Sequence, residues 1–161
     1  MSYYLITTSL PGFYQPEGKV LLLGPWCLCV KEQATQAKGT LLPSPWKPSS
    51  RIVEADEYCY RVYNRILPEI SKELNRMHLS DLPQGYWQIL VGPWLLHFIN
   101  ILYDRYARLN EAIKLYPQLR TPAFKEEHCR LHALDTYDFL AGKIHHDIYN
   151  LRIFSYILHR L

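Results

Sequence analysis

Two short apolar segments near the N-terminus have the pattern of β-strands. The first, residues 3–8, is β-branched and aromatic, and the second, residues 19–23, is an apolar run that a Gly-Pro pair ends. A run that is apolar on both faces is typical of a parallel strand covered by helices. Two weaker segments, 40–42 and 119–124, favour short edge strands, the latter because Pro122 cannot donate to a central ladder.

Longer segments with apolar residues at steps of three and four predict helices that cover these strands. The first runs from about residue 51 to residue 77, with Ser50 as its N-cap and Pro68 as a point where it kinks or divides. The last runs from Asp135 to the end of the chain, and Asp138 three residues on forms a variant of the capping box.

The middle helical segment, from about Tyr86 to Tyr116, is apolar nearly all round as far as Asp104. Residues 82–103 carry no charge and are numerous enough to span a bilayer. The same stretch holds several amide and imidazole side chains, which are costly in lipid unless they face protein. We therefore predict a buried core helix with His97 inside it, interrupted or restarted at its Gly-Pro pair. A transmembrane span is the alternative.

The amino-acid composition restricts the class of protein to which the chain can belong. A chain of 161 residues corresponds to one domain, and 48% apolar with 20% charged residues excludes intrinsic disorder. The net charge of +3 is mild, so we predict no nucleic-acid partner. The first residues lack the basic start of a secretory signal, and the four cysteines are irregularly spaced. We therefore expect reduced thiols and a cytoplasmic location.

The predicted strands and helices together indicate an α/β fold. In this fold, three long helices pack on a small parallel sheet of two to three strands. So few strands leave an unpaired sheet edge, which normally is covered or extended. We therefore expect residues 1–161 to form a single α/β domain that is the N-terminal portion of a longer chain. Self-association through the exposed edge is a further expectation.

The turn that begins at Gly24 lies where open α/β sheets place ligands, outside the carboxyl ends of the strands. Trp26 in this turn either stacks on a sugar or base or packs under the next loop. Dinucleotide-binding, phosphate-loop and nucleophile-elbow motifs do not occur, so we predict no cofactor. Cys27 and Cys29 form a C-x-C pair that matches no zinc motif, so we predict buried thiols and no metal.

Asp104 and Arg105 are the first charges after the long uncharged stretch, so they lie where the middle helix leaves the core. Arg105 either holds a phosphate or carboxylate through a bidentate pair or forms a structural ion pair with a neighbouring loop. His145 and His146 diverge by about 100° on a helix, so they do not share a face. We assign them to a solvated surface.

A series of motifs follows in order along nearly the whole chain, at residues 3–8, 20–27, 42–46, 86–95, 102–106, 135–139 and 147–151. Together they resemble the N-terminal region of a family of bacterial transferases of surface-polysaccharide and O-antigen biosynthesis. The resemblance implies a glycosyltransferase with two facing Rossmann-like α/β domains, of which this chain matches the first part. At Pro25 and Gly85 the chain departs from the family pattern, so no role is carried over to them.

The resemblance also implies an activated sugar donor and a glycan acceptor as partners, and peripheral contact with the inner membrane. Donor-binding and catalytic residues of such enzymes lie mainly in the other half, so no catalytic residue is assigned here. The candidates for an acceptor-binding or inter-domain face are Trp26, Cys27, Trp94, Asp104 and Arg105. The alternative is a non-catalytic interaction module or a homodimerising domain.

Overall fold

A computed structural model describes residues 3–10, 18–28 and 39–161 of the chain. Its sheet contains four parallel strands: β1 (Tyr3–Ile6), β2 (Lys19–Leu22), β3 (Gly39–Leu41) and β4 (Leu119–Arg120). The described residues also form three α-helices: α1 (Ser49–His78), α2 (Gln84–Leu115) and α3 (Asp147–Leu158). α2 and α3 pack with the sheet, and α1 packs against α2. The α/β class is confirmed, with four strands in place of the predicted two to three.

The strands lie in the order β3-β2-β1-β4. Doubly wound sheets begin with this order, and ligands bind where the direction of strand addition reverses. In this chain the reversal falls at β1, which pairs with β2 on one side and β4 on the other. Both weak segments of the sequence form edge strands. Pro122 lies two residues after β4, and a proline at this place is consistent with the position of β4 at the edge of the sheet.

The helices α1 and α2 form a long antiparallel hairpin that both internal prolines fail to break. Pro68 lies inside the 30-residue α1, and Pro93 lies inside the 32-residue α2. The two helices pack along each other, and this tertiary contact outweighs the hydrogen bond that each proline removes. The predicted division at these prolines is therefore wrong. Ser50 also lies within α1, whose N-cap position is Pro48.

The last predicted helix starts as expected but is interrupted. The Asp138 amide donates to Asp135 Oδ1 at 2.7 Å. A π-helical turn over 138–142 and a 3₁₀ turn over 143–145 follow, and the backbone is extended at His146 before α3 begins. The Asn150 side-chain amide donates to the carbonyls of residues 144 and 146, at 2.7 and 3.2 Å. These bonds satisfy acceptors that a regular helix would have used, which stabilises the break.

The apolar core has two parts. The larger lies between the sheet, α3 and the C-terminal part of α2, and the smaller lies between α1 and α2. His97 is exposed, because it lies about 200° from the buried Leu95 on α2; its predicted core position is wrong. Within the described ranges, no helix combines the length and apolar composition that crossing a bilayer requires.

Candidate functional site

The carboxyl ends of β1 and β2 carry small polar residues and an aromatic turn. Thr7 and Thr8 follow β1 and are almost fully buried. After β2 the chain enters a 3₁₀ turn, Pro25–Leu28, in which Trp26 Nε1 donates to the carbonyl of Thr7 at 3.0 Å. The Trp26 ring lies nearly parallel to that of Phe154 on α3, with 6.5 Å between the centroids. Trp26 is therefore fixed across the end of β1.

A cavity of about 200 Å³ opens at this edge of the sheet. It is lined by side chains from the end of β1, the Pro25–Leu28 turn, α2, the turn over 143–145 and α3: Thr7, Trp26, Arg105, Ile144, His145, Asp147, Asn150 and Phe154. We call it the strand-end cavity. Thr7 Oγ1 is buried and has no hydrogen-bond partner in residues 3–10, 18–28 and 39–161. Such an unsatisfied oxygen costs about 1–3 kcal/mol, a penalty that a ligand hydroxyl or amide could remove.

Arg105 enters the strand-end cavity from α2 and is held by two neighbours. Its Nε and Nη2 atoms donate to Asn150 Oδ1 at 3.1 and 2.9 Å, and its Nη1 atom donates to Asp104 Oδ2. A guanidinium has five N–H groups, so these contacts leave two for a ligand. Arg105 thus forms an ion pair, but with its neighbour Asp104 on the same helix and not with a neighbouring loop. Its role in holding a phosphate or carboxylate stays a prediction.

Asp104 lies behind the cavity and connects three side chains. It accepts hydrogen bonds from Trp46 Nε1 at 2.5 Å and from Arg108 Nε at 3.0 Å, besides its ion pair with Arg105. Burial by itself would raise the pKa of Asp104, but the two arginine charges and these hydrogen bonds outweigh it and lower the pKa below its ordinary value. Asp104 is therefore ionised at neutral pH.

The charge network reaches the aromatic wall of the cavity through Arg108. Its guanidinium lies over the Trp26 ring, 5.0 Å from the centroid. A cation in this position is attracted to the ring face. Asp104 thus orients Arg105 directly and Trp26 through Arg108, so one carboxylate positions two walls of the cavity.

The start of α3 supplies the opposite side of the cavity. Asp147 lies in the first turn of α3, and its Oδ2 atom accepts a hydrogen bond from Ser9 Oγ at 2.9 Å. His145 is exposed at the mouth of the cavity and His146 is exposed beside it. Sequence reasoning did not select Thr7, Asp147 or Asn150. All three lie within the quoted motifs, but their meeting with Arg105 depends on how α3 packs.

The predicted candidates lie in three different places. Trp26 and Arg105 line the strand-end cavity and Asp104 supports it, whereas the Cys27 thiol donates to the carbonyl of Ile6 at 3.3 Å within the core. Trp94 lies three helical turns before Arg105, about 16 Å along α2. It lines a second, apolar cavity of about 610 Å³ between α1, α2 and the end of α3.

The described residues contain no group of three or more His, Cys, Asp or Glu side chains that could hold a metal ion. Cys29 lies outside the described residues, so the C-x-C pair cannot be placed. Burial raises the pKa of the Cys59 thiol, and the nearby Asp56 adds to this shift. Burial also raises the pKa of Cys129. Both thiols are therefore protonated at neutral pH and are poor nucleophiles.

Comparison with known proteins gives one match. No curated protein and no solved structure shows significant similarity to the chain. A family model described as LIC12162 family transferase matches residues 3–161, which is nearly the full length. The expected membership of a transferase family is thereby confirmed, and the protein belongs to the LIC12162 family of transferases.

Proposed function

We propose that the protein takes part in transferring a sugar from an activated donor to a glycan acceptor, in the assembly of a bacterial surface polysaccharide such as O-antigen. Its transferase family supports the group-transfer part of this proposal. The sugar part rests on the motif resemblance and on the chemistry of the strand-end cavity. The strand order supports that location, because ligands of open α/β sheets bind where strand addition reverses.

The residues around the strand-end cavity suit a sugar or a sugar phosphate. Arg105 keeps two N–H donors for phosphate or hydroxyl oxygens, and Trp26 offers an aromatic wall for an apolar sugar face. Asp147 adds a carboxylate that can accept hydrogen bonds from hydroxyl groups. The cavity is smaller than the range of about 300–1,000 Å³ typical of drug-sized ligands. It therefore suits one sugar ring or phosphate better than a complete nucleotide sugar.

One observation carries the proposal. Thr7 Oγ1 is buried at the end of β1 and belongs to a residue that lines the cavity, and none of the residues that the structure describes forms a hydrogen bond with it. Buried hydroxyl groups are nearly always hydrogen-bonded in folded proteins. A bound ligand with a hydroxyl group at this point would complete the set of hydrogen bonds.

The test measures ligand binding to the purified chain. Saturation-transfer NMR and calorimetry would screen nucleoside diphosphate sugars, nucleoside monophosphate sugars and free hexoses against wild type, Arg105→Gln and Thr7→Val. Arg65→Gln is the matched control, because Arg65 is exposed on α1 and remote from the cavity. We expect Arg105→Gln to weaken binding about tenfold or more, and Thr7→Val by a smaller factor.

Two results would contradict the proposal. One is the absence of binding by every sugar compound in the screen. The other is binding that Arg105→Gln and Arg65→Gln reduce equally, because the ligand would then lie elsewhere. A cytoplasmic location and peripheral contact with the inner membrane belong to the same proposal. The reduced thiols of Cys59 and Cys129 support the former.

A non-catalytic, self-associating module is the second candidate function. It is favoured by β3, which is a terminal strand of the sheet that the structure describes and carries Leu41 at 43% exposure. The edges are short, however, with three residues in β3 and two in β4, and short edge strands are one way in which proteins prevent pairing. Light scattering tests this candidate: Leu41→Lys should convert a dimer to a monomer, whereas a wild-type monomer would exclude dimerisation through this edge.

A further inference from the structure

A second polar cavity lies on the other face of α3. It measures about 530 Å³ and is lined by Glu127, His128, Arg130, His132 and Arg152. Arg152 lies two residues after Asn150, so it projects about 200° away from the strand-end cavity. We call its four basic members, His128, Arg130, His132 and Arg152, the basic cluster. The basic cluster shares no lining residue with the strand-end cavity.

The side chains of the two arginines of the basic cluster have no partner among the described residues. Within those residues, neither the Arg130 nor the Arg152 guanidinium forms an ion pair or a hydrogen bond. Arg105, Arg108 and Arg160, by contrast, each pair with a carboxylate. The one carboxylate in this cavity, Glu127, faces His128, with 3.6 Å between Oε1 and Nε2. Arg152 is moreover only partly exposed, so solvent screens its charge less than at an open surface.

We propose that the basic cluster binds a phosphate or diphosphate group of a small molecule. A guanidinium matches phosphate oxygens through paired N–H donors, and two guanidiniums at one cavity can hold two sides of the same anion. The imidazoles of His128 and His132 add donors at the rim. The anion would also relieve the repulsion between the two unpaired guanidinium charges.

The shape of the site favours a compact ligand over a nucleic acid. The positive groups surround one cavity, whereas nucleic-acid surfaces present a stripe of cations along the backbone path. The mild net charge of +3 agrees with this choice. The site is independent of the proposed sugar-binding role of Arg105, so each proposal can fail without the other.

The test measures the affinity of the full chain for inorganic phosphate and pyrophosphate by calorimetry, at fixed pH and ionic strength. The decisive variant is Arg130→Gln/Arg152→Gln. Its matched control is Arg61→Gln/Arg65→Gln, which removes two exposed positive charges from α1. NMR signals of the imidazole Cε1–H groups of His128 and His132 report whether the anion reaches this cavity. Circular dichroism checks that every variant is folded.

We expect both imidazole signals to shift on addition of pyrophosphate and the decisive variant to bind about tenfold or more weakly than the control. Arg152→Lys should lose affinity as well, because lysine keeps the charge but lacks the paired donors. Arg105→Gln should leave these imidazole shifts unchanged even if it abolishes sugar binding, so the two proposals are tested separately.

Equal pyrophosphate affinity in the decisive variant and in the control would overturn the proposal. Unshifted imidazole signals at saturation would do the same. A competition experiment with a single-stranded oligonucleotide tests the alternative that the ligand is a nucleic acid. If the oligonucleotide displaced pyrophosphate and bound more tightly through the same two arginines, the compact-phosphate ligand would be wrong and a nucleic-acid partner would replace it.

Discussion

Two regions of the molecule differ in how far they bury their apolar residues. One is the sheet together with α3, and the other is the α1–α2 hairpin. In the sheet, Leu5 and Leu21 on one face are each 1% exposed and Ile6 and Leu22 on the other are each 2% exposed, so both faces are buried. In the hairpin, Leu79 is 95% exposed and Ile89 is 79% exposed, and the buried cluster contains five residues. A two-helix hairpin can bury only the stripe between its helices, so its stability rests on fewer contacts.

The two regions also differ in how completely their polar side chains are hydrogen-bonded. Asn75 closes the hairpin: its Oδ1 accepts from the Leu82 amide at 3.0 Å and from Trp87 Nε1 at 2.9 Å, and its Nδ2 donates to the Leu82 carbonyl. Ser80 Oγ donates a third hydrogen bond to the same Oδ1 atom at 3.0 Å, so the chain itself uses this oxygen fully. At the strand ends, Arg105 and Thr7 keep unused donor or acceptor capacity. Both regions contain polar side chains. The candidate site differs from the structural turn because some of its hydrogen-bonding groups face a cavity and keep donors or acceptors that the described residues do not use.

The largest predicted effect comes from removing a ring that belongs to both the core and the strand-end cavity. Phe154 is 1% exposed and packs against Trp26. We expect Phe154→Ala to lower the free energy of unfolding by about 3–5 kcal/mol, because it leaves a cavity beneath Trp26. Leu67→Ala, at a 2% exposed position of the hairpin, should cost about 2–3 kcal/mol. Urea titrations measure both losses in the free energy of unfolding. A larger loss for Leu67→Ala than for Phe154→Ala would contradict the view that the hairpin rests on fewer contacts than the sheet.

The second prediction concerns the carboxylate that orients Arg105. Because the pKa of Asp104 is lower in the folded than in the unfolded chain, its ionised form stabilises the fold above about pH 4. We expect Asp104→Asn to cost about 1–3 kcal/mol at pH 7. The difference from wild type should shrink as the pH falls through the lowered pKa. Asp81→Asn, at an exposed loop position, is the control and should change stability by less than about 0.5 kcal/mol.

Urea titrations of wild type and Asp104→Asn at a series of pH values check this prediction. A difference that stays constant as the solution is acidified would show that the variant acts through packing rather than through charge. The same variant should also weaken sugar binding, because Arg105 and Arg108 lose their shared partner.

A pair of glycine substitutions sharpens the comparison further. A Cβ atom at Gly24 would lie 2.1 Å from Cζ3 of Trp26, whereas a Cβ atom at Gly85 in α2 would meet no atom within 4 Å. We expect Gly24→Ala to cost about 1–3 kcal/mol and to change the tryptophan near-UV dichroism, because the ring must move. Gly85→Ala should be neutral or stabilise by up to about 1 kcal/mol. Similar results for both would show that Trp26 is not held rigidly.

The smallest effect is predicted at the turn of the hairpin. Leu79 has φ 49° and ψ 44°, the left-handed conformation that favours glycine, and its side chain is almost fully exposed. Leu79→Gly should therefore raise the free energy of unfolding by about 0.5 kcal/mol, since it relieves strain but loosens the unfolded chain. A measurable loss of stability would show that the exposed leucine makes a contact that favours the fold.

Much of the fold follows from local patterns. The apolar runs at the start of the chain form β1 and β2, and the weaker segments form β3 and β4, because a short parallel strand needs little beyond an apolar run and a terminating turn. The interruptions were less predictable. Pro68 and Pro93 do not end their helices, whereas the last predicted helix breaks at His146, four residues after Gly142, a residue that the pattern alone did not mark as a break. These outcomes depend on tertiary packing.

The candidate site was predictable only in part. The sequence indicated the turn that holds Trp26 and the point where Arg105 leaves the uncharged stretch, because strand ends and first charges are visible along the chain. It could not show that Asn150 would accept two hydrogen bonds from Arg105, since the two residues lie 45 positions apart. Trp94 and Arg105 share one helix and yet line different cavities, a separation set by how α1 and α3 pack on α2.

The sequence by itself determined the α/β class, the parallel strands and the kinship with a transferase family, because apolar periodicity and motif order are properties of the chain read in one dimension. Only the tertiary structure decided which polar groups stay unpaired. Thr7, Arg130 and Arg152 are ordinary residues in the sequence. They become significant because each lines a cavity and has a polar side chain that no other described residue pairs with. Whether a hydrogen-bonding group is satisfied depends on every neighbour that folding brings within about 3 Å.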